Sequence, residues 1–224
     1  MTETLNKILN ELQENANEMA ARIYQKQVTS EKVLGVNKGP VRKLAKKYLP
    51  NHALGLELWS TNIYEARIMA TMILEPLKMT IKELDELLSQ TKSISVIDEL
   101  TFEVFETFPF NKQLFEDWVN DPDLIRQRVA WNSVIVEVHR KRVPEEKAKE
   151  LIDYIQEHLV SAPEVVKYAM NRALVEIAVT HKTLTERCLV IGARLGVYKE
   201  VMVAKGCTSP YAPDWINAVL RRKV

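Results

Sequence analysis

The stretch Asp121 to Arg142, DPDLIRQRVAWNSVIVEVHRKR, decides the fold class. It reads as one long helix. Asp121 suits the N-cap, and Pro122 suits the first helical position, where its missing N–H costs nothing. No Gly or Pro follows before Arg142. On a helical wheel the polar side chains fall into two stripes on opposite sides. One holds Arg126, Ser133, Glu137 and Arg140; the other holds Arg128, Asn132 and His139. Leu124, Trp131, Val134, Ile135 and Val138 lie on one flank, and Ile125, Val129 and Val136 on the other. A helix on the skin of a bundle has one apolar stripe. Two apolar flanks imply packed neighbours on both sides, hence a row of helices with the Arg128 stripe opening onto one face.

Working outward, the rest of the chain is also helical in pattern. Residues 4–26 keep an i, i+3, i+4, i+7 apolar rhythm and read as one amphipathic helix. Asn37-Lys38-Gly39 reads as a turn and Pro40 as a helix start, with Arg42, Lys43, Lys46 and Lys47 coating that helix. Further helices are expected over 52–59, 62–74, 80–88, 95–108 and 111–119. Thr80 and Glu83 have the spacing of a capping box. After the central helix come 144–159, 163 onward, 183–195 ending at Gly196, and a last helix capped by Asp214 and ending in Arg221-Arg222-Lys223. That is about eleven helices with short connections and no convincing strand, so the class is all-α.

Three segments resemble one another: 62–74, 123–135 and 164–177. Each places a long polar side chain three residues before a small or apolar one, as in Arg67/Ala70, Gln127/Ala130 and Lys167/Met170. Helix pairs recurring at roughly 40 residues are the mark of HEAT-like arrays, which stack into a curved superhelix. An irregular α-bundle is the competing architecture. The length of 224 residues suits a single domain spanning 1–224.

A formal net charge of +1 gives no argument for a polyanionic partner, but the distribution does. Five cations and no acid lie between Gly35 and Lys47, and seven cations against Glu200 and Asp214 from Arg187 onward. Single-sign patches of this kind steer charged partners. Cys188 and Cys207 lack zinc or CxxC spacing and read as reduced thiols. The four histidines, 52, 139, 158 and 181, are scattered and are not expected to bind metal. The opening MTETLNKILNELQ has no apolar core, and no run of eighteen apolar residues occurs, so a cytoplasmic protein without a membrane span is expected. No HExxH, P-loop, GxSxG or dinucleotide turn is present.

Five motifs carry a resemblance: LGVNKGPVRKLAKKY (34–48), RIMATMIL (67–74), IRQRVAWNSV (125–134), VVKYAMNRALVEIA (165–178) and GCTSPYAPDWI (206–216). In this order they resemble the DNA alkylation repair family, the AlkC/AlkD-like HEAT-repeat proteins, over nearly the whole chain. The resemblance implies a curved stack of HEAT-like helix pairs and, as partner, duplex DNA held by its backbone phosphates. Active members of that family are alkylpurine DNA glycosylases that release 3-methyladenine or 7-methylguanine without metal or cofactor. N-alkylation makes the purine a good leaving group. The sugar gains oxocarbenium character as the bond breaks, so one nearby carboxylate can stabilise it and orient water.

Carried over by the resemblance, the catalytic acid falls on Asp98 in SISVIDEL (93–100) and the central arginine on Arg128. The family's aromatic four residues before the acid falls on Ile94, and a second aromatic falls on Asn171 or Arg172. Such aromatics hold an unstacked nucleotide, each contributing about 1–3 kcal/mol. The expected DNA contacts are Lys38, Arg42, Lys43, Arg67, Arg126, Asn132, Lys167, Asn171 and Arg172. Asn37 to Pro40 could offer backbone N–H groups to a phosphate at a helix start. Several of these residues also have plainer readings. Asp98 falls in the first turn of its helix, where a carboxylate favours the dipole. Arg128 can pair with an acid, Arg172 can pair with Glu176, and Trp131 reads as core. Three functions remain in view. They are a monomeric alkylpurine glycosylase, a non-catalytic relative binding bent, branched or damaged DNA, and a HEAT-like protein-binding scaffold.

Overall fold

The computed structural model describes residues 2–222, so Lys223 at the end of the last expected helix lies outside the described residues. Among the described residues there are thirteen α-helices, two 3-10 turns and no strand beyond an isolated bridge between Lys32 and Ile63. The chain divides into two compact units, Met1–Phe110 and Asn111–Val224.

The first unit holds α1 (Glu3–Glu14), α2 (Glu18–Gln25), α3 (Lys38–Ala45), α4 (His52–Ser60), α5 (Tyr64–Ile73), α6 (Ile81–Ser89) and α7 (Ile94–Phe105). At its centre α5 packs against α3, α4 and α7, and nearly every residue of α5 is buried. Two charged residues lie on this buried helix. The Glu65 carboxylate accepts the backbone N–H groups of Leu34, Gly35 and Val36 at 2.9, 2.7 and 3.1 Å, so it fixes the chain just before α3. Arg67 donates to the Trp59 carbonyl at 3.1 Å and to the Glu31 carboxylate at 2.5 Å. Glu31 also accepts from the hydroxyls of Thr91 and Ser93, and its side chain is fully buried. A buried charge persists only when paired and hydrogen-bonded, and both conditions are met here.

The single helix expected over 4–26 is two helices. Asn17 interrupts it: its Oδ1 caps Ala20, while its backbone N–H and Nδ2 both donate to the Gly35 carbonyl. Met19 and Ile23, which fall on the apolar rhythm of 4–26, are 75% and 49% exposed. Gly35 has φ +94°, and a Cβ there would stand 2.6 Å from the Asn17 carbonyl oxygen. Gly35→Ala is expected to lower the stability of the first unit by about 1–3 kcal/mol in urea unfolding. An unchanged midpoint would show that the contact yields without cost.

The second unit holds α8 (Asn111–Trp118), α9 (Leu124–His139), α10 (Glu145–His158), α11 (Glu164–Thr180), α12 (Thr185–Leu195) and α13 (Ala212–Arg222). The central helix is α9, flanked by α8 on one side and α11 on the other, as its two apolar flanks imply. Trp131 is core, edge-on to Phe115 at 5.4 Å. The helix starts later than expected. Asp121 accepts the N–H of Asp123, and Asp123 is the N-cap, its carboxylate taking the N–H of Ile125 at 2.7 Å. Pro122 therefore lies before the cap. At the other ends, Thr80 caps α6 by accepting the Glu83 N–H, one half of the capping box, while the Glu83 carboxylate bonds His52, and Gly196 closes α12 in a left-handed conformation. The last helix starts at Ala212, two residues ahead of Asp214, which supplies the acid of its first turn. Likewise α3 starts at Lys38 rather than Pro40, with Asn37 at its N-cap but making no side-chain cap bond.

Candidate nucleic-acid interface

In the first unit the basic helix is α3. It carries no acid of its own in its first turn, and the acids that face that turn come from α7. Arg42, Lys43, Lys46 and Lys47 are all exposed. Lys47 pairs with Glu11 of α1 at 2.8 Å. Arg42, Lys43 and Lys46 form no ion pair among the described residues. Lys38 is half-buried and pairs with Glu99 of α7. One turn on, burial pushes the Glu103 carboxyl above the usual glutamate value and Glu99 adds to this, against the pull of Arg42 and Lys38. The first turn of α3 thus leans on an acidic face of α7, while Lys43 and Lys46 have no such counterpart.

Asp98 is half-buried on α7. It lies one turn after Ile94, and its backbone carbonyl accepts the Thr101 hydroxyl at 3.1 Å. Because α7 starts at Ile94, Asp98 is in the second turn, and the first-turn dipole reading does not apply.

In the second unit the polar stripes of α9 are mostly inside. Arg128, Asn132 and Ser133 are only 4%, 1% and 1% exposed, so the expected open polar face does not exist over that stretch. Polar residues are tolerated there because partners on other elements meet them. The Arg128 guanidinium donates to the Val165 carbonyl at 2.5 Å and lies over the Tyr168 ring at 5.7 Å. The Ser133 hydroxyl lies 3.4 Å from the Asn111 carbonyl of α8 and also donates to the Ala130 carbonyl of its own helix at 2.7 Å. Arg126 pairs with Asp121 at 3.1 Å and covers Trp118. On α11, Asn171 is fully buried and its Nδ2 donates to the Pro210 carbonyl at 2.8 Å. Lys167 and Arg172 are half-buried on the same helix. Glu176 bonds His139 at 2.9 Å.

The expected DNA contacts therefore sort by burial. Arg67, Arg128, Asn132 and Asn171 are enclosed. Arg42 and Lys43 are open to solvent, and Lys38, Arg126, Lys167 and Arg172 are partly so. What spacing missed is an aromatic group around Arg128. Tyr168, one turn before Asn171 on α11, sits 6.1 Å from the Tyr198 ring and 6.0 Å from Trp215. The Tyr198 hydroxyl donates to Glu164 at 2.6 Å; burial and that bond push its pKa up. The only hint in the sequence was the shared i, i+3 position of Tyr168 and Asn171.

Among the described residues no group of three His, Cys, Asp or Glu could hold a metal ion, and no helix is long and apolar enough to cross a membrane. His52 bonds Glu83, and His158 stacks on Tyr154 at 4.1 Å. Burial pushes the Cys188 thiol up to about 12, while Cys207 is exposed.

Residues 8–215 match the profile of a family described as DNA alkylation repair enzyme. The chain belongs to the DNA alkylation repair family. Its fold is also found in a solved structure described as "a new family of proteins related to the HEAT-like repeat DNA glycosylases with affinity for branched DNA structures". That structure superposes with a TM-score of 0.84 at 22% identity, over 98% of this chain and 94% of the other. The architecture is accordingly a HEAT-like repeat. No curated protein matches the chain. Within this family member, Ile94 occupies the position where the resemblance called for an aromatic, and Tyr168 brings one to Arg128 from a neighbouring turn.

Proposed function

We propose that this member of the DNA alkylation repair family binds bent, branched or damaged duplex DNA through its backbone phosphates. The observation that carries this reading is the outer face of α3, where Arg42, Lys43 and Lys46 are exposed and form no ion pair among the described residues. Phosphates are held by such cations and by backbone N–H groups at helix starts. On the second unit, taken by itself, Lys167 and Arg172 of α11 are half-buried cations that would also contact phosphates. Support also comes from the similar solved structure, whose family is described as having affinity for branched DNA.

Release of an alkylated purine is a second reading, favoured by family membership and by Asp98 reaching the surface of α7. In it the N-glycosidic bond breaks, the base leaves with the bonding electrons, and water adds to the sugar carbon. The Asp98 carboxylate would stabilise the sugar cation and orient that water. By the resemblance, Arg128 would contact the DNA backbone. Its burial, and Ile94 in place of a stacking aromatic, weigh toward binding without excision.

Both readings are tested together by anisotropy titration and a single-turnover assay on alkylated duplex. Junction binding without release of 7-methylguanine or 3-methyladenine is the expected result. Release by the wild type that Asp98→Asn lowers by about a hundredfold or more would establish the second reading. Absence of binding to any DNA would remove both.

A further inference from the structure

The segment between α12 and α13 carries the most exposed apolar side chain described. Met202 is 96% exposed, and its neighbours Val201 and Val203 are 46% and 41% exposed. No fold-stabilising role explains a methionine there, since it buries almost nothing. The segment is nevertheless anchored at both ends. On one side the Lys199 N–H donates to the Gly196 carbonyl and the Val201 N–H to the Tyr198 carbonyl, both at 3.1 Å. Tyr198 adopts a left-handed φ of 64° and is tied to Glu164 and packed near Tyr168. On the other side the Cys207 N–H donates to the Ala204 carbonyl at 2.9 Å, and Gly206 has φ +88°. Beyond it, Thr208 accepts from Arg222 at 3.3 Å and the Pro210 carbonyl accepts from Asn171. Two turns thus present three apolar residues from a held base.

Charge tells what the tip would meet. Lys199 and Lys205 flank it and are exposed, with Arg194 at the end of α12 and Arg222 near the base. Against these stand Glu200 and the Glu164 carboxylate already bonded to Tyr198. An apolar point in a cationic surround suits a surface that is anionic outside and stacked and apolar within. Duplex DNA at a weakened step is such a surface, and single apolar side chains are known to wedge between base pairs there. A lipid surface offers similar chemistry. Three residues on a turn, however, lack the long apolar helix face that interfacial binding uses.

We infer that Met202, carried on the Tyr198–Cys207 segment, is a wedge that enters an unstacked step or branch point of bound DNA, with Lys199 and Lys205 on the adjoining phosphates. This rests on the DNA-binding reading and adds to it the element that would favour distorted over regular duplex. Methionine suits the role because its unbranched, polarisable side chain adapts to an irregular gap.

The test uses a four-way junction with 2-aminopurine at the branch, read by fluorescence and, in parallel, by anisotropy. Wild-type protein is expected to raise the 2-aminopurine signal by about twofold or more as the step opens. Met202→Ala should abolish most of that rise and weaken junction binding by about tenfold, while Met202→Leu retains both. Because the side chain is solvent-exposed, neither variant should unfold the protein. Salt-sensitive junction binding by the wild type with no fluorescence change, or an equal response from Met202→Ala, would overturn the wedge and leave the DNA-binding reading standing. Loss of phosphatidylserine vesicle co-sedimentation on Met202→Ala, without a 2-aminopurine response in the wild type, would assign the tip to lipid and also overturn it. No junction binding at all would overturn both.

Discussion

Glu31→Gln is expected to destabilise the first unit by about 3–5 kcal/mol near neutral pH, the cost typical of removing one partner from a buried charge pair. The variant keeps the shape of the side chain but leaves Arg67, a residue only 3% exposed, without an anion. It also weakens the bonds from Thr91 and Ser93, which tie the start of α7 to residue 31. The pH dependence has a definite sign. Burial pushes the Glu31 carboxyl up, but the hydrogen bonds from Ser93, Thr91, Arg67 and Ser30 outweigh it, so its folded pKa lies below the usual glutamate value. A depressed acid contributes stability that is fully present above its unfolded value and lost as pH falls through the folded one. Wild-type protein should therefore lose stability in acid below the ordinary glutamate range, and Glu31→Gln should lack that part of the loss. Urea unfolding of both proteins across that range is the check. A variant within about 0.5 kcal/mol of wild type at neutral pH would mean that the cluster is not a buried ion pair in solution.

The second large effect is on binding. Lys43→Glu combined with Lys46→Glu is expected to weaken DNA binding by about a hundredfold at about 0.1 M salt. Two lost phosphate contacts account for most of that, because each released counterion contributes about 0.9 to the salt exponent. These two lysines are chosen because they are exposed and form no ion pair among the described residues, whereas Arg42 stands near Glu103 and its reversal would disturb that carboxyl. Thermal stability should barely move, since exposed substitutions of this kind cost little. Unchanged affinity in the folded double variant would remove α3 from the interface.

What could be read from the chain was what local chemistry decides. The Thr80 cap and the Gly196 stop were legible because cap and partner lie within four residues. The two flanks of α9 were legible because helical periodicity projects directly onto neighbours on either side. Distant partners were not. The break at Asn17 depends on a carbonyl eighteen residues away at Gly35, and nothing in the 4–26 rhythm announces it. Arg67 looked like a surface cation because its anion, Glu31, lies thirty-six residues earlier. Arg128 and Asn132 looked like a solvent stripe because the carbonyl and ring that cover Arg128 come from α11. The same limit hid the aromatic group of Tyr168, Tyr198 and Trp215, which three separate elements bring together. The exposed cations of α3 were legible for the opposite reason: a run of like charges without acids has few ways to be buried.

The most direct measurement is the salt dependence of wild-type affinity for a four-way junction, followed by fluorescence anisotropy. Phosphate binding requires log K to fall linearly with log salt, with a slope of about −3 or steeper if Arg42, Lys43 and Lys46 each neutralise one phosphate. A slope near zero, or no association at tens of micromolar protein in low salt, would contradict a DNA-binding role, because non-specific binding alone should reach about 10⁻⁴–10⁻⁶ M.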